Sequence, residues 1–184
     1  MSEQTLQAIE VVADNKSLAE RLNHIIGKLK NAPETPAVAE FEAKTELVGG
    51  FLTRAQIRQF NLYVDEPPKL LGTDKGPNPV ELVLAALGTC QEIVYAAYAA
   101  VLGIPIDSIR INVKGRLDLR GLFNVAPVPS GFMDIYYEVN IKSPADRNRI
   151  RDLADMVNAH CPVLDTLQRP INVNFSVLLN DERV

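Results

Sequence analysis

The sequence predicts an α+β domain in which antiparallel strands are interrupted by two helices. Several segments alternate apolar and polar residues with a period of two, the pattern of strands that bury one face. Two other segments begin with helix-start signals and continue with apolar residues at helical spacing. The chain has 184 residues, which is enough for one substantial core and short for two domains.

The chain begins with a predicted helical extension that is separate from the main domain. At residues 6–30, leucine and isoleucine recur at helical spacing, and two lysines near the end favour the negative helix terminus. Residues 31–36 contain two prolines and end this pattern. We therefore divide the chain into an extension and linker at residues 1–35 and a main domain at residues 36–184. The extension either packs on the main domain or serves as a docking arm for a partner.

Five strands are predicted in the main domain, with a short additional strand before the second. They lie at residues 37–47, 51–54 (the short one), 60–64, 109–119, 133–141 and 171–177. Loops that contain Pro or Gly separate most of them, which favours chain reversals and antiparallel pairing.

The first predicted helix has a strong start signal. Asn78 is followed by Pro79 at the first helical position and by Glu81 at the third, the arrangement of a capping box. The helix ends near Gly103. Its apolar residues cover every face, which predicts that protein surrounds it.

The second predicted helix begins at residues 143–146, has one apolar stripe and ends before Pro162. Because Pro162 suits a first helical position, Cys161 can be the N-cap of a further short helix. There the helix dipole and free N–H groups favour a thiolate. Alternatively, Cys161 is an N-cap without any chemistry.

Cys90 and Cys161 are the only cysteines, and they form a candidate redox pair. Cys90 lies twelve residues beyond its N-cap, so its own helix dipole cannot lower its pKa much, and burial raises that pKa. A reactive Cys90 therefore needs a cation from elsewhere in the fold or from another subunit. Arg54 and Arg58 are candidates because they precede the loop that leads into this helix. Alternatively, Cys90 is a core thiol that acts as a small hydrophobe.

Composition argues against several classes of function. The net charge of −4 and the absence of like-charge blocks disfavour nucleic acid and anionic membranes as partners. His24 and His160 are the only histidines and no CxxC spacing occurs, so we expect no metal or other cofactor. The N-terminus lacks the pattern of a signal peptide, and we expect a cytoplasmic protein whose thiols are reduced or transiently oxidised.

The two cysteine motifs resemble those of the OsmC/Ohr family of osmotically inducible and organic-hydroperoxide-resistance proteins. In the first motif, Asn78-Pro79 opens an apolar helix that carries Cys90 eleven residues after the proline. The second motif is Cys161-Pro162-Val163, some seventy residues further on. The resemblance covers residues 37–184 and implies an OsmC-like fold in an intertwined homodimer with two active sites at the subunit interface.

The resemblance also implies a chemistry for the cysteines. In peroxidase members the first cysteine is oxidised by an organic hydroperoxide to a sulfenic acid, which implies a peroxidatic Cys90. The second closes a disulfide, which implies a resolving Cys161, and a dithiol reductant restores both thiols. An arginine activates the first cysteine, and Arg54 is our first choice for it and Arg58 our second. The peroxidases carry a glutamate directly after the proline, where this chain has Val80.

We therefore expect a thiol-dependent peroxidase that reduces organic hydroperoxides. The apolar neighbours of Cys90 favour an alkyl hydroperoxide over hydrogen peroxide. The alternative is a family member that binds or carries a small thiol-reactive or apolar ligand without turnover. Glu92 either pairs across the dimer or orients the arginine, and His160 either faces the Cys161 sulfur or acts as a surface or capping residue.

Overall fold

The structure, a computed structural model, describes residues 15–184. Its helices are α1 (Asn15–Lys30), α2 (Pro79–Leu102), α3 (Leu119–Leu122), α4 (Arg147–His160) and α5 (Pro162–Gln168). Its strands are β1 (Lys44–Gly49), β2 (Leu52–Ile57), β3 (Phe60–Val64), β4 (Ser108–Leu117), β5 (Phe132–Lys142), β6 (Leu178–Leu179) and β7 (Glu182–Arg183). The predicted α+β class is confirmed. The part of the predicted extension before residue 15 lies outside the described residues.

The strands form three antiparallel sheets. β1, β2 and β3 make a three-stranded sheet, β4 pairs with β5 in a long hairpin, and β6 pairs with β7. The predicted strands at 51–54, 60–64, 109–119 and 133–141 correspond to β2, β3, β4 and β5. The predicted strand at 37–47 is shorter, because only residues from Lys44 onward pair with β2.

The prediction of a strand at residues 171–177 is wrong for the described chain. These residues have no strand assignment, and Val173 and Phe175 are 81% and 88% exposed. The alternating pattern is present, but a strand also needs a neighbour for its N–H and C=O groups. No neighbouring strand pairs with this segment within residues 15–184. Only the short β6–β7 hairpin follows it.

The start of α2 is the capping box that the sequence predicts. The Glu81 backbone N–H donates to Asn78 Oδ1 at 2.9 Å, and the Asn78 backbone N–H donates to Glu81 Oε2 at 2.9 Å. The helix ends at Gly103, whose φ of 60° is a left-handed conformation that favours glycine. Arg149 donates to the exposed carbonyl of Leu102 at 3.0 Å. Both ends of the helix are therefore fixed by local hydrogen bonds.

Only one face of α2 is buried in the single chain. Leu87, Gly88, Gln91, Tyr95 and Ala99 are buried, and they lie at helical spacing along one side. The helix packs on β4, α4, α5 and α1. Elsewhere it stays open, and Ile93 is 69% exposed. The prediction that protein surrounds the whole helix is therefore not met within one chain.

The core consists of two clusters along the buried face of α2. The first contains Tyr95, Ala99, Ile104, Leu153 and Val157 and joins α2 to α4. The second contains Leu87, Cys161 and Leu164 and joins α2 to α5. Apolar side chains of the β4–β5 hairpin pack against both. α2 is also long and apolar enough to cross a membrane by composition, but the core helix of a soluble protein meets the same criterion.

A buried carboxylate organises the loop before α2. Asp65 is 1% exposed and accepts hydrogen bonds from the backbone N–H groups of Glu66, Thr73 and Lys75 and from the Thr73 hydroxyl. Glu66 in turn accepts a hydrogen bond from the Asn78 side chain at 3.3 Å. The chain passes so close that a Cβ on Gly72 would lie 1.7 Å from the Glu66 carbonyl oxygen. This loop therefore fixes where α2 begins.

We expect Asp65→Asn to destabilise the protein in a pH-dependent way. The Thr73 hydroxyl and three backbone N–H groups hold the pKa of Asp65 below its usual value. A lowered pKa in the folded state stabilises the protein above the unfolded-state pKa of about 3.9. This contribution is lost as the pH falls through the folded-state pKa. The melting temperatures of the wild type and the variant, measured from about pH 7 to about pH 3, test this. The difference between the two melting temperatures should become smaller toward low pH. A difference that does not change with pH contradicts the expectation.

Candidate active site

The two cysteines lie side by side although 71 residues separate them in the chain. Cys90 is in the middle of α2, and Cys161 is at the junction of α4 and α5. Their Sγ atoms are 3.4 Å apart, and both are free thiols. A disulfide bond is about 2.05 Å long, so the pair needs to close by only about 1.4 Å to form one.

The two thiols differ in exposure. Cys90 is partly exposed, whereas Cys161 is fully buried. Cys161 packs with Leu87 and Leu164, and the side chains of Val113, Ile135, Tyr137 and Val163 complete this cluster. A small molecule from solution can therefore reach Cys90 before Cys161.

Burial raises the pKa of the Cys90 thiol in the single chain. A hydrogen bond from the backbone N–H of Val163 lowers this pKa in part, and the neighbouring Cys161 raises it further. Val163 is in the first turn of α5, whose N-cap is Cys161 as the sequence predicts. The side chain of Cys161 makes no capping hydrogen bond. In the same turn, the backbone N–H of Val163 donates a hydrogen bond to Cys90. Among residues 15–184, no cation contributes to lowering the pKa of Cys90.

Neither predicted arginine is beside Cys90 in the single chain. Arg54 is in β2 and forms an ion pair with Glu46 across the β1–β2 ladder, with 2.6 Å between Nη2 and Oε1. Arg58 follows β2, and its guanidinium lies 5.1 Å from the ring centre of Phe60. Within residues 15–184, neither side chain hydrogen bonds with Cys90. The structure thus brings the two cysteines together but not the arginines.

The other polar residues near the motifs have local roles. His160 Nδ1 lies 2.8 Å from the carbonyl oxygen of Met156, and its ring packs against Tyr98 with 5.6 Å between centroids. These contacts agree with a capping residue. Glu92 forms no ion pair in the described part of the chain. It lines a groove of about 220 Å³ between α2 and β4. Val80 is 37% exposed in the first turn of α2.

Two residues near the cysteines were not predicted as part of the site. Tyr137 packs in the Cys161 cluster and donates a hydrogen bond to Asn158 Oδ1 at 2.8 Å. Burial raises its pKa, and the neighbouring Cys161 raises it further. Gln91 is fully buried next to Cys90 in the sequence. A polar residue inside an apolar helix was the only signal for Gln91, and Tyr137 follows the ordinary strand pattern.

The Gln91 amide is the unusual feature of this core. Neither its nitrogen nor its oxygen has a hydrogen-bond partner within residues 15–184. It lies one helical turn from both Leu87 and Tyr95, and so between the two core clusters. Because the side chain is already 0% exposed in one chain, a second subunit cannot supply a partner from outside.

We expect Gln91→Leu to stabilise the protein. Leaving a buried polar group unsatisfied costs about 1–3 kcal/mol, and an apolar side chain of similar size removes that cost. The free energy of unfolding from urea titration should rise by up to about 1–3 kcal/mol. Gln91→Ala is the matched control. It also removes the amide but leaves a cavity, so it should be less stable than Gln91→Leu. A loss of stability in Gln91→Leu would show that the amide has a hydrogen-bond partner, such as a buried water.

A cavity of about 430 Å³ lies beside the cysteine pair. Leu87 and Leu164, which pack on Cys161, form part of its wall together with Tyr137 and Ile135. Cys161 itself does not line this cavity. Among the described residues, no group of three or more His, Cys, Asp or Glu side chains is placed to hold a metal ion. Cys90 and Cys161 are the candidate reactive groups of this region.

Comparisons with known proteins identify the family of this chain. The sequence profile described as OsmC-like protein matches residues 72–176. A protein named hydroperoxide reductase from Mycoplasma genitalium is 31% identical over 122 residues, which cover 65% of this chain and 82% of that protein.

Solved structures show the same fold. An OsmC-like protein from Mycoplasma pneumoniae superposes with a TM-score of 0.62 at 26% identity, covering 71% of this chain and 88% of that one. An organic hydroperoxide resistance protein OsmC from Legionella pneumophila superposes with a TM-score of 0.56 at 20% identity, covering 72% and 92%. On the profile match and the shared fold, this chain belongs to the OsmC-like protein family.

Proposed function

We propose that this protein is a thiol-dependent peroxidase that reduces organic hydroperoxides. The observation that carries the proposal is the pair of free thiols 3.4 Å apart, one partly exposed and the other buried behind it. A two-cysteine peroxidase needs this combination, because one thiol must meet the substrate and the other must lie within reach of the oxidised product. The relative named hydroperoxide reductase supports the same activity.

The proposed reaction has two steps on the protein. The Cys90 thiolate attacks one oxygen of the hydroperoxide, the O–O bond breaks, and the other oxygen takes a proton and leaves as the alcohol. Cys90 is now a sulfenic acid. The Cys161 thiol then attacks the sulfenic sulfur, a disulfide forms, and water leaves. A dithiol reduces this disulfide and is itself oxidised to a disulfide.

We propose that the functional unit is a cytoplasmic homodimer. α2 leaves an apolar side open, with Ile93 69% exposed, and Val173 and Phe175 follow a strand pattern without a strand partner in one chain. A second copy would cover such surfaces. Assembly would also bring Arg54, or otherwise Arg58, to Cys90, which has no cation of its own in the described single chain. This arginine would lower the pKa that burial raises.

A reaction with two peroxides tests the proposed function. Reduced wild-type protein is mixed with tert-butyl hydroperoxide or with hydrogen peroxide, thiol loss is followed in time, and disulfides are mapped by mass spectrometry. We expect rapid formation of a Cys90–Cys161 bond that is faster with the alkyl peroxide. Cys90→Ser is the control and should show neither the bond nor rapid thiol loss. A rate of thiol loss in the wild type that is no faster than that of a free thiol would contradict the proposal.

A second candidate function is the binding or transport of a thiol-reactive ligand without turnover. The raised pKa of Cys90 and the presence of Val80, rather than the glutamate of the peroxidases, favour it. The same reaction separates the two candidates. A carrier would form one stable adduct on Cys90 with an electrophile and would consume no more than one equivalent of hydroperoxide in the presence of dithiothreitol.

A further inference from the structure

We propose that the reductant attacks the sulfur of Cys90, not that of Cys161, when it opens the disulfide. Cys161 is then the leaving group, and the reductant is transiently bound to Cys90. This inference rests on the proposed disulfide between the two residues. It assigns the contact point of the reducing partner to Cys90 rather than to the core that encloses Cys161.

Access to the two sulfur atoms carries the argument. Thiol–disulfide exchange requires the attacking thiolate to approach one sulfur along the line of the S–S bond. Cys161 is 0% exposed and is enclosed by Leu87, Leu164 and the hairpin side chains. Its burial arises within its own chain, so dimer assembly cannot expose it. Cys90 is partly exposed in the single chain, and the proposed peroxidase reaction requires that the dimer leave its sulfur open to a hydroperoxide.

The nearby cavity does not open a second path. It has a volume of about 430 Å³, and a small thiol would fit into it. Leu87 and Leu164 form its wall, whereas Cys161 does not line it. An attacking thiol in the cavity would therefore have to displace one of these packed side chains before it could reach the Cys161 sulfur.

The difference between the two cysteines as leaving groups has too small an effect on the exchange rate to direct the attack to Cys161. A hydrogen bond from Val163 reaches Cys90 and would help it to leave if Cys161 were attacked. Exchange rates change by about half a logarithmic unit for each unit of thiol pKa. A difference of one unit thus changes the rate by about threefold, whereas an attack on Cys161 must first displace packed side chains of its core.

The exchange balances without any further reactant. The first thiolate of the dithiol bonds to Cys90, the protein S–S bond breaks, and Cys161 takes up a proton as a thiol. The second thiol of the dithiol then attacks the mixed disulfide, loses its proton, and releases Cys90 as a thiolate. The dithiol ends as a cyclic disulfide, and two electrons have passed to the protein. Because Cys161 stays close to Cys90, it competes for the same mixed disulfide, which favours a dithiol over a monothiol.

The test locates the mixed disulfide directly. Wild-type protein is oxidised with diamide, so that no hydroperoxide is involved, and is then treated with β-mercaptoethanol. Samples are quenched in acid at short intervals, alkylated with N-ethylmaleimide in urea and mapped by mass spectrometry. We expect β-mercaptoethanol on Cys90 to exceed that on Cys161 by about tenfold or more. An equal or larger amount on Cys161 overturns the inference.

A second measurement compares access to the two sulfur atoms directly. It is needed if the Cys161 thiol displaces β-mercaptoethanol from Cys90 before the sample is quenched. Methyl methanethiosulfonate is reacted with Cys161→Ser, which retains Cys90, and with Cys90→Ser, which retains Cys161. Each rate is divided by the rate of the same variant in urea, and circular dichroism checks that both fold. The ratio for Cys90 should be at least about tenfold larger, and a larger ratio for Cys161 overturns the inference. Disulfide formation with diamide but not with hydroperoxide would contradict the proposed peroxidase alone.

Discussion

Cys161→Ser is expected to stop peroxidase turnover after a single oxidation of Cys90. Without a thiol at position 161, a sulfenic acid on Cys90 would have no thiol in the cluster against which Cys90 packs. Steady-state consumption of tert-butyl hydroperoxide should fall by a factor on the order of 100 or more at a low dithiothreitol concentration, where direct reduction of the Cys90 sulfenic acid by dithiothreitol is slow. A first burst of about one equivalent should remain. Dimedone, which labels sulfenic acids, should modify Cys90 in this variant and much less in the wild type.

The controls separate chemistry from folding. Cys161 is fully buried among apolar side chains, so a serine hydroxyl there costs some stability. Cys161→Ala removes the thiol without adding a polar group and should show the same burst and the same loss of turnover. Cys90→Ser should lose both. Steady turnover of Cys161→Ser at the wild-type rate would mean that another thiol resolves the sulfenic acid.

The helices could be predicted from the sequence because their signals are local. Asn78 and Glu81 are three residues apart and bond to each other directly, so the signal for the start of α2 lies within four consecutive residues. The same holds for Gly103 at its end. The hairpin of β4 and β5 was also predictable, because its two strands are long, alternate regularly and are neighbours in the sequence.

Strands that depend on distant partners were harder to predict. Residues 171–177 alternate as regularly as β5 does, but no described strand pairs with them, and only Val177 at their end accepts a backbone hydrogen bond, from Val184. The first strand was predicted too long for the same reason. Residues 37–43 also alternate, but only residues from Lys44 onward have β2 as a pairing partner. Periodicity describes which side of a strand is apolar, and it does not say whether a neighbour exists.

The site was predictable only in part. Spacing alone cannot place Cys90 and Cys161 together, and their proximity followed from the family resemblance. The sequence cannot show whether Arg54 or Arg58 reaches Cys90, because neither side chain contacts Cys90 in the described single chain and the contact rests on the proposed assembly. The role of Gln91 was not predictable, since an unsatisfied amide can be recognised only when every neighbouring donor and acceptor is known.

Ile93→Asp is expected to break the proposed dimer. In one chain, Ala85, Thr89, Ile93 and Ala96 form an exposed stripe along α2. Isoleucine is the largest residue of this stripe, and small residues on either side allow another helix to approach closely. An aspartate buried there without a partner costs several kcal/mol. The dissociation constant, measured by analytical ultracentrifugation, should rise by a factor on the order of 100 or more.

Ile93→Val is the matched control, because it keeps an apolar side chain at the same position and should remain dimeric. If an arginine reaches Cys90 only on assembly, the monomeric Ile93→Asp protein should also lose hydroperoxide reduction, and high protein concentration should restore both together. A dimer that persists in Ile93→Asp would place the interface elsewhere. A folded monomer that retains full activity would show that the single chain activates Cys90 by itself, with the Val163 N–H as the donor that the structure places there.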